Sequence, residues 1–324
     1  MAHPTAGFGP PPKLPTYKFV NTSRIKRFAK CELAGHLDYH TNVQYAPERP
    51  TTPKMWLGSA IHAWIEALHT HGWDYGVDLV IHNEEFEGDP EGDRVNTIAA
   101  PIMRAYRDKY RGNQTYDKVL ASEQPFWVLW QGVCFLGTID ALVEKDGKTW
   151  VLDTKTTGSD LTEMGSRERL NIQWLVYCEA IDRLYPNLGG VIIDGISTDI
   201  PLKKEPRITK SGAIHATDKR LLEEYAQKMA EYQAFGLQRF TFRELAKPQV
   251  RASRMFRFGV WDTIKRIESL RTGILEPISI MGVDPWSCRS CAHRQYCEIE
   301  ETPGAHDYYT RQPDYVDLAR EANQ

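Results

Sequence analysis

Asp140, Asp153 and Lys155 are the residues of this chain whose types and spacing promise chemistry. Between the two acids lies Asp146-Gly147, a dipeptide that suits a two-residue hairpin turn because both central positions need positive φ. With those two residues as the loop, Lys145 faces Lys148, and counting back places Asp140 directly opposite Asp153. Directly opposed side chains leave one face of a sheet with Cβ atoms about 4.5 to 5.5 Å apart, where two like charges repel. Such a pair either shares a proton or holds a cation between its members. Lys155, two residues past Asp153, leaves the same face because strands alternate with period two. Two carboxylates and an ammonium around one point suit Mg²⁺ or Mn²⁺, which select hard oxygen donors. Such an ion generates hydroxide from bound water and neutralises charge on a phosphate under attack. The plainer reading is two exposed acids on the wet side of a sheet, paired with surface lysines.

If Gln131-Gly132 makes a second two-residue turn, Glu123 joins this face opposite Asp140, either as a third acid or as an ordinary edge carboxylate. A second cluster is Cys288-x2-Cys291-x5-Cys297, preceded by Pro285-Trp286. Three thiolates need a fourth ligand, and Cys31 is the natural candidate, since Cys134 and Cys178 fall within a strand and a helix and read as buried apolar residues. Zinc and a [4Fe-4S] cluster both accept four thiolates, and spacing alone discriminates poorly.

These residues need elements to position them. Asn21, Thr22 or Ser23 caps a helix with apolar Ile25, Phe28 and Leu33, carrying Cys31. A second helix runs from Met55 to Leu68, where Leu57, Ile61, Trp64, Ile65 and Leu68 recur at three- and four-residue intervals, and a third from Asn96 to Tyr110. Strands follow at Val119–Trp130, Val133–Lys145 and Lys148–Asp153, then a helix over Arg167–Tyr185, a strand at Val191–Ile196, and helices at Asp218–Phe235 and Arg254–Arg271. The expected fold class is α/β, a mixed central sheet of about four to five strands flanked by helices. Residues 1–16, rich in proline, are expected to form a flexible lead-in without regular structure, residues 17–300 a single domain, and residues 301–324 a polar tail.

The 324 residues, 41% hydrophobic and 26% charged, can bury a core without disulfides. No apolar run approaches the roughly 18 residues of a membrane span, and no signal-peptide layout opens the chain, so a soluble cytoplasmic protein is expected. A net charge of -3 does not advertise a nucleic-acid binder. From Lys203 to Arg271, however, sixteen Lys and Arg stand against eight Asp and Glu, among them Lys203, Lys204, Arg207, Lys210, Lys219 and Arg220. That stretch could grip phosphates, or be an ordinary solvated surface. Tyr185, Phe256 and Trp261 could stack bases, with core packing as their ordinary use.

Asp140 followed after twelve residues by Asp153-Thr154-Lys155 resembles the catalytic motif of the PD-(D/E)XK nuclease superfamily, which implies a restriction-endonuclease-like core. The RecB-like branch adds Gly-x-x-x-His, matched by Gly58 to His62, and Gln-x-x-x-Tyr, matched by Gln173 to Tyr177, whose ends share one helix face. The resemblance implies that His62, Asp140, Asp153 and the Thr154 carbonyl bind Mg²⁺ or Mn²⁺, and that Lys155 orients or activates the attacking water. Apart from that company, His62 on an apolar helix would be a core histidine. The distant cysteine with Cys-x2-Cys-x5-Cys resembles the iron-sulphur nucleases of this branch, including AddB-type helicase-nucleases and CRISPR-associated adaptation nucleases. This implies a [4Fe-4S] cluster on Cys31, Cys288, Cys291 and Cys297 that staples the ends of the domain, with zinc as the lesser alternative. Asp153 stands where many members carry Glu, which the pattern admits. Without a Gly-x-x-x-x-Gly-Lys-Ser/Thr loop the chain lacks helicase motifs. It is expected to be a stand-alone DNA exonuclease of a phage or mobile element, acting 5′-to-3′ on single-stranded DNA or duplex ends in recombination, replication or repair. A homo-oligomer or a recombination or replication partner remains open. So do two rivals: a non-catalytic DNA-binding or CRISPR-adaptation relative, and a zinc-containing endonuclease.

Overall fold

The computed structural model describes residues 5–8, 11–13, 19–39, 53–75, 90–112, 115–130, 132–185, 187–201, 216–248, 260–271 and 274. In chain order the elements are β1 (Thr5–Gly7), β2 (Phe19–Val20), α1 (Thr22–Lys30), α2 (Glu32–Tyr39), α3 (Pro53–His71), α4 (Pro90–Tyr110), β3 (Lys118–Trp130), β4 (Val133–Lys145), β5 (Lys148–Thr157), α5 (Leu161–Glu168), α6 (Ile172–Leu184), β6 (Leu188–Ser197), α7 (Ala216–Glu231), β7 (Leu237–Phe242) and α8 (Trp261–Arg271). A π-turn, Tyr232–Gly236, joins α7 to β7. The strands form one mixed sheet in the order β1-β3-β4-β5-β6-β7, with β2 parallel to β4. β5 and β6 are parallel, as the crossover through α5 and α6 permits.

The β4–β5 hairpin has the expected register. Lys145 pairs with Lys148 and the ladder runs to Ala141 opposite Leu152. Its turn residues Asp146 and Gly147 both have positive φ, 52° and 66°. The same register logic holds between β3 and β4, where Trp130 pairs with Val133 and Gln124 with Ile139.

Helices cover both faces of the sheet. Val191 and Ile193 of β6 pack with Trp174, Cys178 and Ile181 of α6 and Ile264 of α8. Ile196, of opposite parity and therefore on the opposite face, packs with Ile61, Trp64 and Leu68 of α3 and Ile102 and Tyr106 of α4. Each large apolar side chain so enclosed contributes about 1.5 to 3 kcal/mol relative to exposure. β6 is apolar and buried on both faces, the pattern of a central strand with parallel pairing. Asp194 is its exception and is neutralised by Arg239 of β7, with Tyr106 donating to its Oδ2 at 2.5 Å.

Four expectations are corrected, and a fifth falls partly outside the described residues. Thr5–Gly7 forms an edge strand on β3 within the supposedly structureless lead-in, because those three residues contain no proline and Gly7 lies where a Cβ would strike the Trp127 ring at 2.6 Å. The first helix stops at Lys30 with Cys31 extended as its cap. Leu33, five residues past Phe28 and out of phase, belongs to α2, whose Gly35 sits against the Phe28 ring. The helix expected over Arg167–Tyr185 is two helices, with Asp160 capping α5 and Asn171 capping α6. The sheet holds more strands than the four to five expected. Among them is β7, where burial of Arg239 by its ion pair hides the alternation that marks a strand. Finally, the residues read as the start of a helix at Arg254 lie outside the described residues, and α8 is described from Trp261.

Candidate active site

The hairpin ladder ends one pair short of the two acids, and this is where the site opens. Asp140 lies at the next position of β4, but its Oδ2 accepts from the Thr154 N–H at 3.0 Å rather than facing Asp153 squarely. On its other edge Asp153 pairs with Ile193 of β6, continuing the parallel ladder that runs the length of β5. The acids still act on one another electrostatically.

His62 reaches the site from α3, its Nδ1 3.2 Å from Asp140 Oδ2. Gly58, one turn earlier, makes this approach possible, since a Cβ there would stand 3.1 Å from Thr156 Oγ1. Burial works against charge on the His62 ring, yet the hydrogen bond and charge of Asp140 outweigh it and raise its pKa above the usual value. Asp140 moves the opposite way. Burial would lift it, but His62, the Thr154 N–H and Lys155 hold it below the ordinary carboxylate range.

Asp153 is 1% exposed. The Lys155 ammonium stands 2.6 Å from its Oδ2, a charge-assisted contact, and Oδ1 is left without a partner. Burial pushes Asp153 up to about 7 against the pull of Lys155. Lys155 is lowered by burial, but Asp153 outweighs this and its pKa ends above the ordinary value. Its ammonium also lies 5.2 Å from the centroid of the Trp174 ring.

A cavity of 840 Å³ opens over Asp140 and His62, walled by Thr22, Ser23, Glu66, Glu123, Thr138 and Tyr177, among others. Glu123 holds a left-handed backbone, φ 46°, inside a strand, a strained conformation of the kind that collects at functional sites. Its neighbours in the β3–β4 register place it opposite Asp140. Burial raises its pKa, with Asp140 and Glu66 adding to the effect. Gln173 and Tyr177 meet as their spacing requires. The Gln173 amide donates to Tyr177 Oη at 3.1 Å, and that hydroxyl donates to the Thr138 carbonyl at 2.8 Å.

Three residues of this neighbourhood escaped the sequence reading. Glu66 lies one turn past His62 on α3, a spacing that could have flagged it. Glu168, 6% exposed, accepts from the Asn171 amide at 2.7 Å and so ties the cap of α6 to the site. Lys26 of α1 feels the charges of Glu168, Lys155 and Asp153. No local signal marks the last two.

Among the described residues no three His, Cys, Asp or Glu side chains converge as a ready metal cage, because Asp140 is turned to His62 and Asp153 to Lys155. The donor set nonetheless fits a hard divalent cation. Asp153 presents a buried carboxylate whose Oδ1 has no donor, and a cation there would favour its ionised form beyond what Lys155 does alone.

The remaining candidates fare differently. Cys31 is half-buried with a free thiol, whereas Cys288, Cys291 and Cys297 lie outside the described residues. Cys134 and Cys178 are buried, as expected of apolar cysteines. Lys203, Lys204, Arg207, Lys210 and Phe256 also lie outside the described residues, as does the side chain of Lys219. Arg220 pairs with Glu224 at 3.3 Å. Tyr185 packs on Phe8, and Trp261 stands edge-on to Phe135, so both are used in packing. No helix among the described residues is long and apolar enough to cross a membrane.

A mixed sheet flanked by helices, with acids and a lysine on a central hairpin, defines an α/β protein of the restriction-endonuclease-like kind. The chain belongs to the PD-(D/E)XK nuclease superfamily, whose family description matches residues 20–298. That membership implies a metal-dependent nuclease acting on DNA, and nucleases of this superfamily usually use Mg²⁺ or Mn²⁺. No curated protein matches the sequence. Two solved structures are similar at low identity. One is SSO0001, 12% identical over 88% of each chain with a TM-score of 0.35. The other is VC1899 from Vibrio cholerae, 9% identical over 72% of this chain and 57% of that one, with a TM-score of 0.22.

Proposed function

We propose that this chain is a divalent-metal-dependent DNA exonuclease that works on single-stranded DNA or on DNA ends. The observation that carries the reading is Asp153, a buried carboxylate with Lys155 on one oxygen and no donor on the other, close to Asp140 and His62. Asp140, Asp153, the Thr154 carbonyl and His62 would hold Mg²⁺ or Mn²⁺, which when bound acidifies a water and neutralises charge on the phosphate. Lys155, whose pKa is raised, stays an ammonium at neutral pH. Its part is therefore to hold the attacking oxygen and steady the charge that develops on the phosphate, not to remove a proton. Glu123 and Glu66 line the wall next to Asp140 and keep that side of the cavity acidic. Tyr177, fixed by Thr138 and Gln173, also lines the cavity.

Action on single strands and ends is supported by the resemblance of the Gly58–His62 and Gln173–Tyr177 motifs to the RecB-like branch. The 5′-to-3′ polarity, the place in phage or mobile-element recombination, replication or repair, and a [4Fe-4S] cluster on Cys31, Cys288, Cys291 and Cys297 are part of the same proposal, and rest on the resemblance of the motifs to the iron-sulphur RecB-like nucleases.

Purified protein incubated with Mn²⁺ and end-labelled single-stranded, duplex and circular DNA tests it. The wild type is expected to shorten linear strands from one end and spare circles, and D153A to cut nothing. Equal degradation by wild type and D153A, or by neither, overturns the nuclease reading, and cutting of circles overturns the end requirement. A brown anaerobic preparation with visible absorbance is expected for the cluster, and a colourless zinc-loaded one would remove it.

A further inference from the structure

The helix that walls the cavity on its N-terminal side carries a cation with no established use. α1 holds Arg24, Lys26, Arg27 and Lys30 and no acidic residue. Thr22 and Ser23, in its first turn, line the cavity with Asp140 and His62. Lys26 lies four residues past Thr22 and three past Ser23, so it stands over the same face of the helix one turn on. It is exposed and makes no hydrogen bond or ion pair with any described residue. The three charges that act on it most are Glu168, Lys155 and Asp153. The catalytic lysine already has an ion partner in Asp153, whereas Lys26 has none among the described residues.

We propose that α1 is the rail for the DNA backbone and that Lys26 grips the phosphate next to the one being cut. A point charge on a flexible stem suits a phosphate oxygen without reading sequence. The contact would hold the strand in register as its end enters the cavity beneath Thr22 and Ser23. This rests on the nuclease reading above and assigns that site one wall of its substrate track.

The test is binding of a fluorescent single-stranded oligonucleotide by the full chain, carrying D153N to prevent cutting, across a salt series. Each phosphate contact on a single strand contributes a slope of about 0.7 in log affinity against log salt. K26Q is therefore expected to flatten the slope by about 0.7 and weaken binding about fivefold at about 0.1 M salt. K26R is expected to keep both, and K118Q, at the far end of β3 where Lys118 pairs with Glu144, is expected to change neither. In the cutting-competent background K26Q is expected to raise KM and spare kcat. An unchanged slope and affinity for K26Q overturns the proposal while leaving the nuclease intact. Should K26Q fail to fold, K26M and K26E serve in its place, and K26E must weaken binding more than K26M. A wild type that neither binds nor cuts DNA overturns both readings together.

Discussion

Asp153→Asn should remove a specific pH dependence of stability. In the metal-free protein Asp153 titrates at about 7 instead of the ordinary 3.8, because burial penalises its charge. A group whose folded pKa is raised binds more protons in the folded than in the unfolded state between those two values. The stability it lends is thus whole below about pH 4, drains as pH rises, and is gone above about pH 7. The interval corresponds to about 4 kcal/mol, undiminished by solvent because the side chain is 1% exposed. Between about pH 5 and about pH 7 the loss is about 2 kcal/mol, or on the order of 3 °C in Tm. The amide that replaces the carboxyl cannot ionise, and the Lys155 charge it leaves unpaired is constant over this range, so the substitution adds an offset but no slope. Thermal melts of both proteins in chelator from about pH 5 to about pH 8 should therefore diverge, with only the wild type losing those degrees. Added Mn²⁺ should restore the wild type at the upper pH by mass action and leave D153N unmoved. Parallel curves would refute the claim that a buried, donor-poor carboxylate awaits a cation.

The buried His69, hydrogen-bonded to Tyr116 at 3.2 Å and lowered by burial to about 4, stays neutral when folded. It should lend stability above about pH 6.5 that fades towards pH 4, on the order of 3 kcal/mol, read as the wild-type minus H69Q difference in urea midpoints across that range. Gly58→Ala adds a Cβ 3.1 Å from Thr156 Oγ1, so α3 must shift by a few tenths of an ångström. Turnover should fall on the order of tenfold as His62 moves, with the melting temperature nearly constant. Arg239→Met strands Asp194 and should cost about 3 to 5 kcal/mol in urea unfolding, most of it recovered when Asp194→Leu is added.

Local signals with a single physical meaning were readable in the chain. Asp146-Gly147 fixed the hairpin register because few dipeptides adopt two positive φ values, and α3 announced itself through Leu57, Ile61, Trp64 and Leu68. Opposing Asp140 to Asp153 was nearly right but missed the end of the β4–β5 ladder at Ala141 and Leu152, beyond which the Thr154 N–H turns to the Asp140 side chain. β7 stayed hidden because Arg239 is buried by a partner 45 positions distant. Lys26 and Glu168 were unreadable for a related reason. Their meaning arises from charges that the fold brings near Lys155, and nothing in their neighbours along the chain encodes it.

The parting of β4 from β5 gives the reaction centre two anchorages. One acid is moored to α3 through His62, on one side of the sheet, while the other is tied through Lys155 to Trp174 of α6, whose core covers the opposite side. The gap between them behaves like a calliper whose arms belong to different layers. A ligand pressing on either layer can alter the spacing of the jaws without touching them, which makes remote substitutions in α3 and α6 a natural means of retuning which ion is preferred.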